Sequence, residues 1–259
     1  MAFAKEKDLA AIAICDHDCV DGIQPCHDLG VLSGVEVVPG IELTVEKDDT
    51  EIHFLGYCID WQNQWLQKKL KDLQQFRINR INAMIAKLKE QGIEVSPQAV
   101  FQLSGRGSVG RLHLARVMLQ TGKIASMDEA FRKYIGFLKP CYVKNIHFSP
   151  REAIETILKV GGVPVLAHPR TLRNDGMIPD LIDCGLRGIE AYHTDHDAAL
   201  TKRYEAMAKR YNILVTGGSD CHGLGKGRVL MGGVKVPYEI LERLREAALF
   251  IKGSQAAGR

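Results

Sequence analysis

Asp16-His17-Asp18, Glu42, His53, His168 and Asp220-Cys221-His222 place imidazoles and carboxylates in one chain of 259 residues. Mixed nitrogen and oxygen donors suit Zn²⁺, Mn²⁺ or Fe rather than a thiolate zinc site. The chemistry such a set can perform is metal-assisted hydrolysis. Six side chains are read as metal ligands: His17, Glu42, His53, His168, Asp220 and His222. Asp16 and Asp18 flank His17, where either could accept its second ring proton, as carboxylates do for metal-bound histidines. Glu42 follows a Pro39-Gly40 bend in an otherwise apolar run, and a carboxylate near a core needs a partner or an ion. Asp220 and His222 stand two apart after Gly217-Gly218, so an extended backbone lets both converge on one cluster. Each residue also has a plainer reading: a turn aspartate, a solvated glutamate at a strand end, a hydrogen-bonded histidine. Their joint occurrence favours ligation.

A second group could handle the substrate. Arg111 can make the bidentate contact that holds a phosphate, with His113 beside it; its plainer reading is a surface arginine of an amphipathic helix. His193 and His196 follow the Ile189-Glu190 run and could contact phosphate or protonate a leaving group; the plainer reading is two exposed loop histidines. Gly223-Leu224-Gly225-Lys226-Gly227 lacks the spacing of a phosphate-binding loop, although Lys226 or Arg228 could line the site. No nucleophile elbow supports a Ser-His-Asp arrangement. The seven cysteines form no CxxC pair. They read as reduced thiols of a cytosolic protein, with Cys15, Cys19 and Cys221 as small apolar fillers.

Alternating short elements must position these groups. Strands are expected over 10–15, 35–43, 51–57, 163–167, 188–192 and 213–216, most ending at one of the chemically interesting residues. A helix is expected over 23–32, and a long amphipathic one over 65–90, ended by Gly92. Shorter helices are read at 96–102, 109–120 and 127–134. Ser149-Pro150-Arg151-Glu152 is a helix start with a Ser cap, Pro at the first position and Glu at the third. Another helix is read at 198–210, and 255–259 as a frayed tail. Successive βα units favour a parallel sheet or barrel, and ligands at many strand ends favour a barrel. Three segments follow: 1–61 and 146–254 as two parts of one α/β barrel, and 62–145 as a helical insertion covering its mouth.

Bulk properties narrow the partners. A net charge of +3 permits a phosphorylated substrate and does not call for nucleic acid. No apolar run reaches a membrane span, and no signal-peptide pattern occurs. A cytoplasmic protein that needs no membrane and no obligate protein partner is expected.

The ordered motifs CDHD (15–18), PGIE (39–42), IHFLGY (52–57), RLHLA (111–115), LAHP (166–169), GIEAYH (188–193) and GSDCHG (218–223) make the chain resemble the PHP family, the polymerase and histidinol phosphatase domain. Within it the chain is most similar to bacterial phosphoesterases acting on nucleoside 3′,5′-bisphosphates and short RNA 5′ ends. The resemblance implies a distorted (β/α)7 barrel with two or three divalent ions, Mn²⁺ foremost and Zn²⁺ or Fe²⁺ as alternatives. It implies that Glu42 bridges two ions, with Asp220 on one of them and His53 and His168 on the second. His17 and His222 would hold the third, and Arg111, His113 and a histidine of 193–196 would contact the scissile phosphate. The proton for the leaving oxygen would come from His196, with His193 as the alternative. The family's first strand carries an HxH motif that this sequence does not contain. The expectation is therefore a barrel lacking its first strand, through a misplaced start, a fragment or a natural truncation. Two other readings stay open: a histidinol-phosphate-type phosphatase, and a catalytically silent metal- or nucleotide-binding fragment.

Overall fold

The fold is that of a computed structural model, which describes residues 1–48, 50–105, 107–144, 148–172, 174–223 and 229–257. Lys226 and Arg228 lie outside the described residues. The chain divides into two compact units, Met1–Gln67 with Phe148–Arg259, and Lys68–His147.

The first unit is built on an open, mixed, half-barrel sheet flanked by helices. Its strands are β1 (Ala11–Ile14), β2 (Glu36–Lys47), β3 (Thr50–Tyr57), β4 (Val163–Leu166), β5 (Gly188–His193) and β6 (Leu214–Gly218), hydrogen-bonded in that order. β1 and β2 are parallel, as are β4, β5 and β6, whereas β3 runs antiparallel to both neighbours. The barrel-type arrangement expected from the strand–helix alternation is present, with parallel pairing in β1–β2 and β4–β6, and β3 is the exception. Lys47 pairs with Thr50, so β2 and β3 form a hairpin with a two-residue turn, and Asp48 takes a left-handed backbone (φ 49°). A turn that short leaves no room for a crossover helix, so the pair must be antiparallel. β2 also runs on to Lys47, past the expected end at Leu43, because the hairpin gives its backbone a partner throughout.

Residues of period two line the concave face. Glu42 pairs with Leu55 and Thr44 with His53, which puts all four side chains on one side of the hairpin. Leu55 and Tyr57 of that face pack with Val163 and Val165 against Leu241, Leu244, Ala248 and Ile251 of helix Glu239–Ala257. That helix runs to Ala257, into the stretch read as a tail, and Gln255 Nε2 donates to Leu158 O at 2.6 Å. On the opposite side Ile157, from helix Pro150–Lys159, sits against Gly56. That helix starts with the reciprocal cap: Glu152 N–H donates to Ser149 Oγ (3.2 Å), and Ser149 N–H to Glu152 Oε2 (2.9 Å). A cavity of about 530 Å³ lies between β1 and β6, lined by Ala13, Cys15, Tyr57, Glu190, Thr216 and Val236 among others.

Gly40 sets how closely β1 approaches β2. A Cβ there would stand 2.5 Å from Cys15 Sγ, 3.0 Å from Ile14 O and 3.2 Å from Gly56 O. Two of these are backbone atoms that cannot yield without moving a strand. Gly40→Ala is therefore expected to destabilise the fold by about 1–3 kcal/mol, the range of overpacked interiors. Urea unfolding checks this: an unchanged midpoint would show that the strands have slack.

The second unit is helical. Ile81, Met84, Ile85 and Leu88 of helix Gln64–Glu90 pack with Val100, Leu114, Val117 and Met118 from the helices Pro97–Ser104 and Arg111–Gln120. The stretch read as one helix over 127–134 is a short α-helix, Met127–Glu129, followed by a π-helical turn, Ala130–Ile135. Among the described residues no helix is long and apolar enough to cross a membrane.

Candidate metal centre

The site assembles on the concave face of the first unit, at the end where β1, β4, β5 and β6 finish. His53 lies inside its strand as expected, and Glu42, read near the end of its strand, lies inside β2 because β2 runs on to Lys47. They reach the same place because β3 runs antiparallel, so its first residues lie beside the finishing ends of the parallel strands. Beyond β1 the pairing with β2 continues: Glu42 N–H donates to Asp16 O (3.1 Å) and Asp18 N–H to Glu42 O (2.9 Å), which sets His17 opposite Glu42. Asp18 is buried, and its Oδ1 accepts Thr44 N–H at 3.3 Å. His17 Nδ1 lies 3.2 Å from Thr44 Oγ1 and 3.6 Å from Glu42 Oε2. β2 thus orients the ring.

Glu42 is the centre of the cluster. Its Oε1 lies 2.7 Å from His53 Nδ1 and 3.2 Å from His168 Nε2, and those two nitrogens are 3.0 Å apart. Two adjacent ligands about 2.1 Å from one octahedral ion lie about 3 Å from each other. The triangle has the dimensions of a coordination face. His17, Glu42 and His53 also offer ligand atoms that all fall within 4.8 Å of one another.

The hydrogen-bond partners leave the right nitrogens bare. Thr171 Oγ1 donates to His168 O (3.1 Å) and is left to accept from His168 Nδ1–H (3.2 Å), so Nε2 carries the lone pair. His53 Nε2 lies 3.3 Å from Glu51 Oε1, a carboxylate suited to take its proton while Nδ1 faces Glu42. His222 Nδ1–H donates to Asp220 O (2.9 Å), which frees Nε2. The residues present therefore fit a divalent ion.

Charge favours the same occupant. Burial pushes the Glu42 carboxyl up, but His17 and His53 and the hydrogen bond from His53 outweigh it and hold the group well below the ordinary range. Burial pulls His53 down, but Glu42 and Glu51 overcome it and raise the imidazole to about 10. Burial raises the Cys15 thiol well above its ordinary value, so this cysteine offers no thiolate ligand.

Glu190 escaped the sequence reading. It lies within an apolar strand, and nothing in Gly188-Ile189-Glu190 marks which face it takes. Its buried Oε2 accepts His168 N–H at 2.8 Å, and burial pushes its carboxyl up to about 7 against the pull of His193. His168 needs that anchor: its backbone is left-handed at φ 26°, as are Asp18 (46°) and Asp220 (47°). Such conformations cost on the order of 1–3 kcal/mol each and gather where surrounding contacts enforce them. An irregularity in the β5–β6 register between Glu190 and Tyr192 re-aims the end of β5. His193 then meets the site, with Nε2 3.9 Å from Asp220 Oδ2.

His193 and His196 present opposite faces. Asp195 N–H donates to His193 Nδ1 (3.1 Å), which puts the proton of the neutral ring on Nε2. His196 Nδ1–H donates to Ala191 O (2.9 Å), leaving a bare, buried Nε2 with no hydrogen-bond partner among the described residues. Burial lowers the pKa of both rings; Asp220 and Glu190 more than offset this at His193, whereas His196 stays low. His17, Glu42, His53, His168, His193, Asp220 and His222 line one pocket of about 380 Å³ together with Arg170, Thr171 and Asp195.

Arg111 and His113 belong to the second unit. Arg111 sits over the rings of Phe131 (5.9 Å) and Tyr142 (5.5 Å). His113 Nδ1 accepts Gly110 N–H at 3.1 Å, which closes the first turn of its helix. That capping role is one the sequence reading did not assign.

An open α/β half-barrel thus brings imidazoles and carboxylates together at ion-coordination spacing. No protein-family model matches the chain. It is 31% identical over 239 residues to a phosphoribosyl 1,2-cyclic phosphate 1,2-diphosphodiesterase of Eggerthella lenta, covering 90% of each chain. It is 30% identical over 225 residues to a 3′,5′-nucleoside bisphosphate phosphatase of Chromobacterium violaceum, covering 84% of this chain and 79% of that one. A crystal structure from Bifidobacterium adolescentis, described as that of a candidate metal-dependent phosphoesterase, superposes with a TM-score of 0.86 at 26% identity, covering 95% of this chain and 88% of that one. The chain belongs to the PHP-like family of metal-dependent phosphoesterases.

Proposed function

We propose that the protein is a divalent-metal phosphatase of nucleoside 3′,5′-bisphosphates, with the 5′ ends of short RNA as larger substrates. The observation that carries the hydrolytic reading is the convergence of Glu42 Oε1, His53 Nδ1 and His168 Nε2 at 2.7–3.2 Å. The similarity to the Chromobacterium violaceum phosphatase supports the substrate class. Two or three ions are proposed, Mn²⁺ first and Zn²⁺ or Fe²⁺ as alternatives, since donors of this kind accept all three. Glu42, His53 and His168 would hold one, and His17 and His222, with Asp220, would hold the next. Bound ions would activate a water and neutralise the phosphoryl oxygens.

The chain's own groups then do the rest. Glu51, Thr171 and the Asp220 carbonyl fix which ring nitrogen each histidine presents. Glu190 holds the His168 backbone in the conformation that aims its ring. His193, which lines the pocket with its proton on Nε2 and its pKa raised, is the donor we favour to a departing ribose oxygen. His196 is not among the residues lining that pocket, and a role for it rests on the family resemblance. The phosphate-contact roles of Arg111 and His113 rest on the family resemblance alone.

A second reading draws on the Eggerthella lenta relative, which is named for a cyclic phosphodiester. Mn²⁺-loaded protein offered a nucleoside 3′,5′-bisphosphate, a ribose 1,2-cyclic phosphate and histidinol phosphate separates the possibilities. The bisphosphate is expected to be hydrolysed with the highest kcat/KM; preference for either of the others overturns the substrate assignment. His222→Ala is expected to lose metal and activity together, and full activity in that variant would remove His222 from the centre.

A further inference from the structure

We infer that Arg170 reads a second, uncleaved phosphate of the substrate; this rests on the bisphosphate reading above and deepens it. Arg170 directly follows Pro169 in the 3₁₀ turn that carries His168 out of β4, and His168, Arg170 and Thr171 all line the pocket. Among the described residues that line this pocket it is the one arginine or lysine. Its side chain is held in place: NH1 donates to Asp195 O at 2.6 Å. That partner is a neutral backbone carbonyl. Among the described residues Arg170 makes no ion pair, so its positive charge is left to act on a ligand. A guanidinium has five N–H donors in a planar fork, and one bond to a carbonyl leaves others free for the paired contact that arginine makes with phosphate.

Charge decides which phosphate. A phosphate at the reacting position would be matched by ions held at Glu42, His53, His168, His17 and His222. Arg170, a cation and so no metal ligand, lines the same pocket of about 380 Å³. That volume falls in the range of sites that enclose a whole small ligand, so there is room for more than one phosphoryl group. An anion beside Asp195 in that pocket would be repelled without a cation there. A substrate with one phosphate has nothing to give Arg170, and a bisphosphate does. Arg170 is thus a specificity-determining residue, and its effect falls on the ratio between the two ligand classes.

Equilibrium binding tests this without turnover. Calorimetry on metal-loaded protein would compare non-hydrolysable phosphonate analogues of adenosine 3′,5′-bisphosphate with those of adenosine 3′- and 5′-monophosphate, for wild type, Arg170→Ala and Arg170→Gln. Gln keeps an amide N–H for the Asp195 carbonyl, so it separates loss of charge from loss of the turn's anchor. Wild type is expected to prefer the bisphosphate by at least about tenfold, the scale of one or two charged hydrogen bonds, and both variants to lose most of that preference. Equal weakening of both ligands would move Arg170 to the reacting phosphate, and an unchanged ratio would remove it from recognition; either overturns the inference. Hydrolysis of the bisphosphate by metal-loaded wild type is read separately. Preferential binding without hydrolysis would defeat the proposed function and leave the assignment of Arg170 standing.

Discussion

Glu42→Ala should abolish metal retention and with it the phosphoesterase activity. Its Oε1 is shared by His53 Nδ1 and His168 Nε2, and its Oε2 lies 3.6 Å from His17 Nδ1, so one carboxylate serves three imidazoles. Removing it leaves neutral donors without the charge that makes a divalent ion favourable there. Loss of partners outside the ligand set typically costs about 10–100-fold in affinity or activity. Loss of a ligand at the centre is expected to cost about a thousandfold or more. Glu42→Gln is the sharper variant, because it keeps the shape and removes only the charge. Metal content after gel filtration and hydrolysis rate, measured on both variants, check this. A Gln variant that keeps its metal and more than a tenth of its rate would show that the histidines suffice.

Metal uptake near neutral pH should expel protons, and affinity should climb steeply as the solution becomes alkaline. With its imidazole raised to about 10, His53 is protonated at pH 7 and hydrogen-bonded to Glu42. An ion must displace that proton. Three pH units correspond to about 4 kcal/mol, or roughly a thousandfold in apparent affinity, recovered at about tenfold per unit between pH 7 and 10. The sign for folding runs the same way. The raised His53 stabilises the metal-free fold fully below 6.5, and that contribution is lost as pH rises through about 10. The depressed Glu42 stabilises above the ordinary carboxylate range, and its share is lost as pH falls through its lowered value. Calorimetric titration with Mn²⁺ in two buffers of different ionisation enthalpy counts the protons. About one proton per chain is expected from His53, and heats independent of the buffer would contradict the ion-pair picture.

The sequence made some of this readable for identifiable reasons. His168, Asp220 and His222 stand next to Pro169 and Gly217-Gly218, and such punctuation marks strand ends without any long-range information. The capping residues around Ser149 are local for the same reason. The mixed sheet was not readable, because Asp48 in a two-residue turn looks like any polar loop until Lys47 is seen to pair with Thr50. Glu190 and Arg170 were missed on different grounds. The inward face of Glu190 is set by its neighbours in the sheet, and His193 beyond it is re-aimed by an irregularity that no local pattern announces. Arg170 reads as a loop arginine, and only the pocket it lines distinguishes it. His196 offered an imidazole to the sequence but not its tautomer, which is fixed by a carbonyl five residues earlier.

The most direct test of the metal centre is the metal stoichiometry of the purified chain after exposure to Mn²⁺ and removal of excess by gel filtration, read by elemental mass spectrometry. Two or more ions per chain are expected, falling by at least one in His222→Ala and to none in Glu42→Ala. A chain that retains no ion at pH 8 would contradict a cluster organised around Glu42.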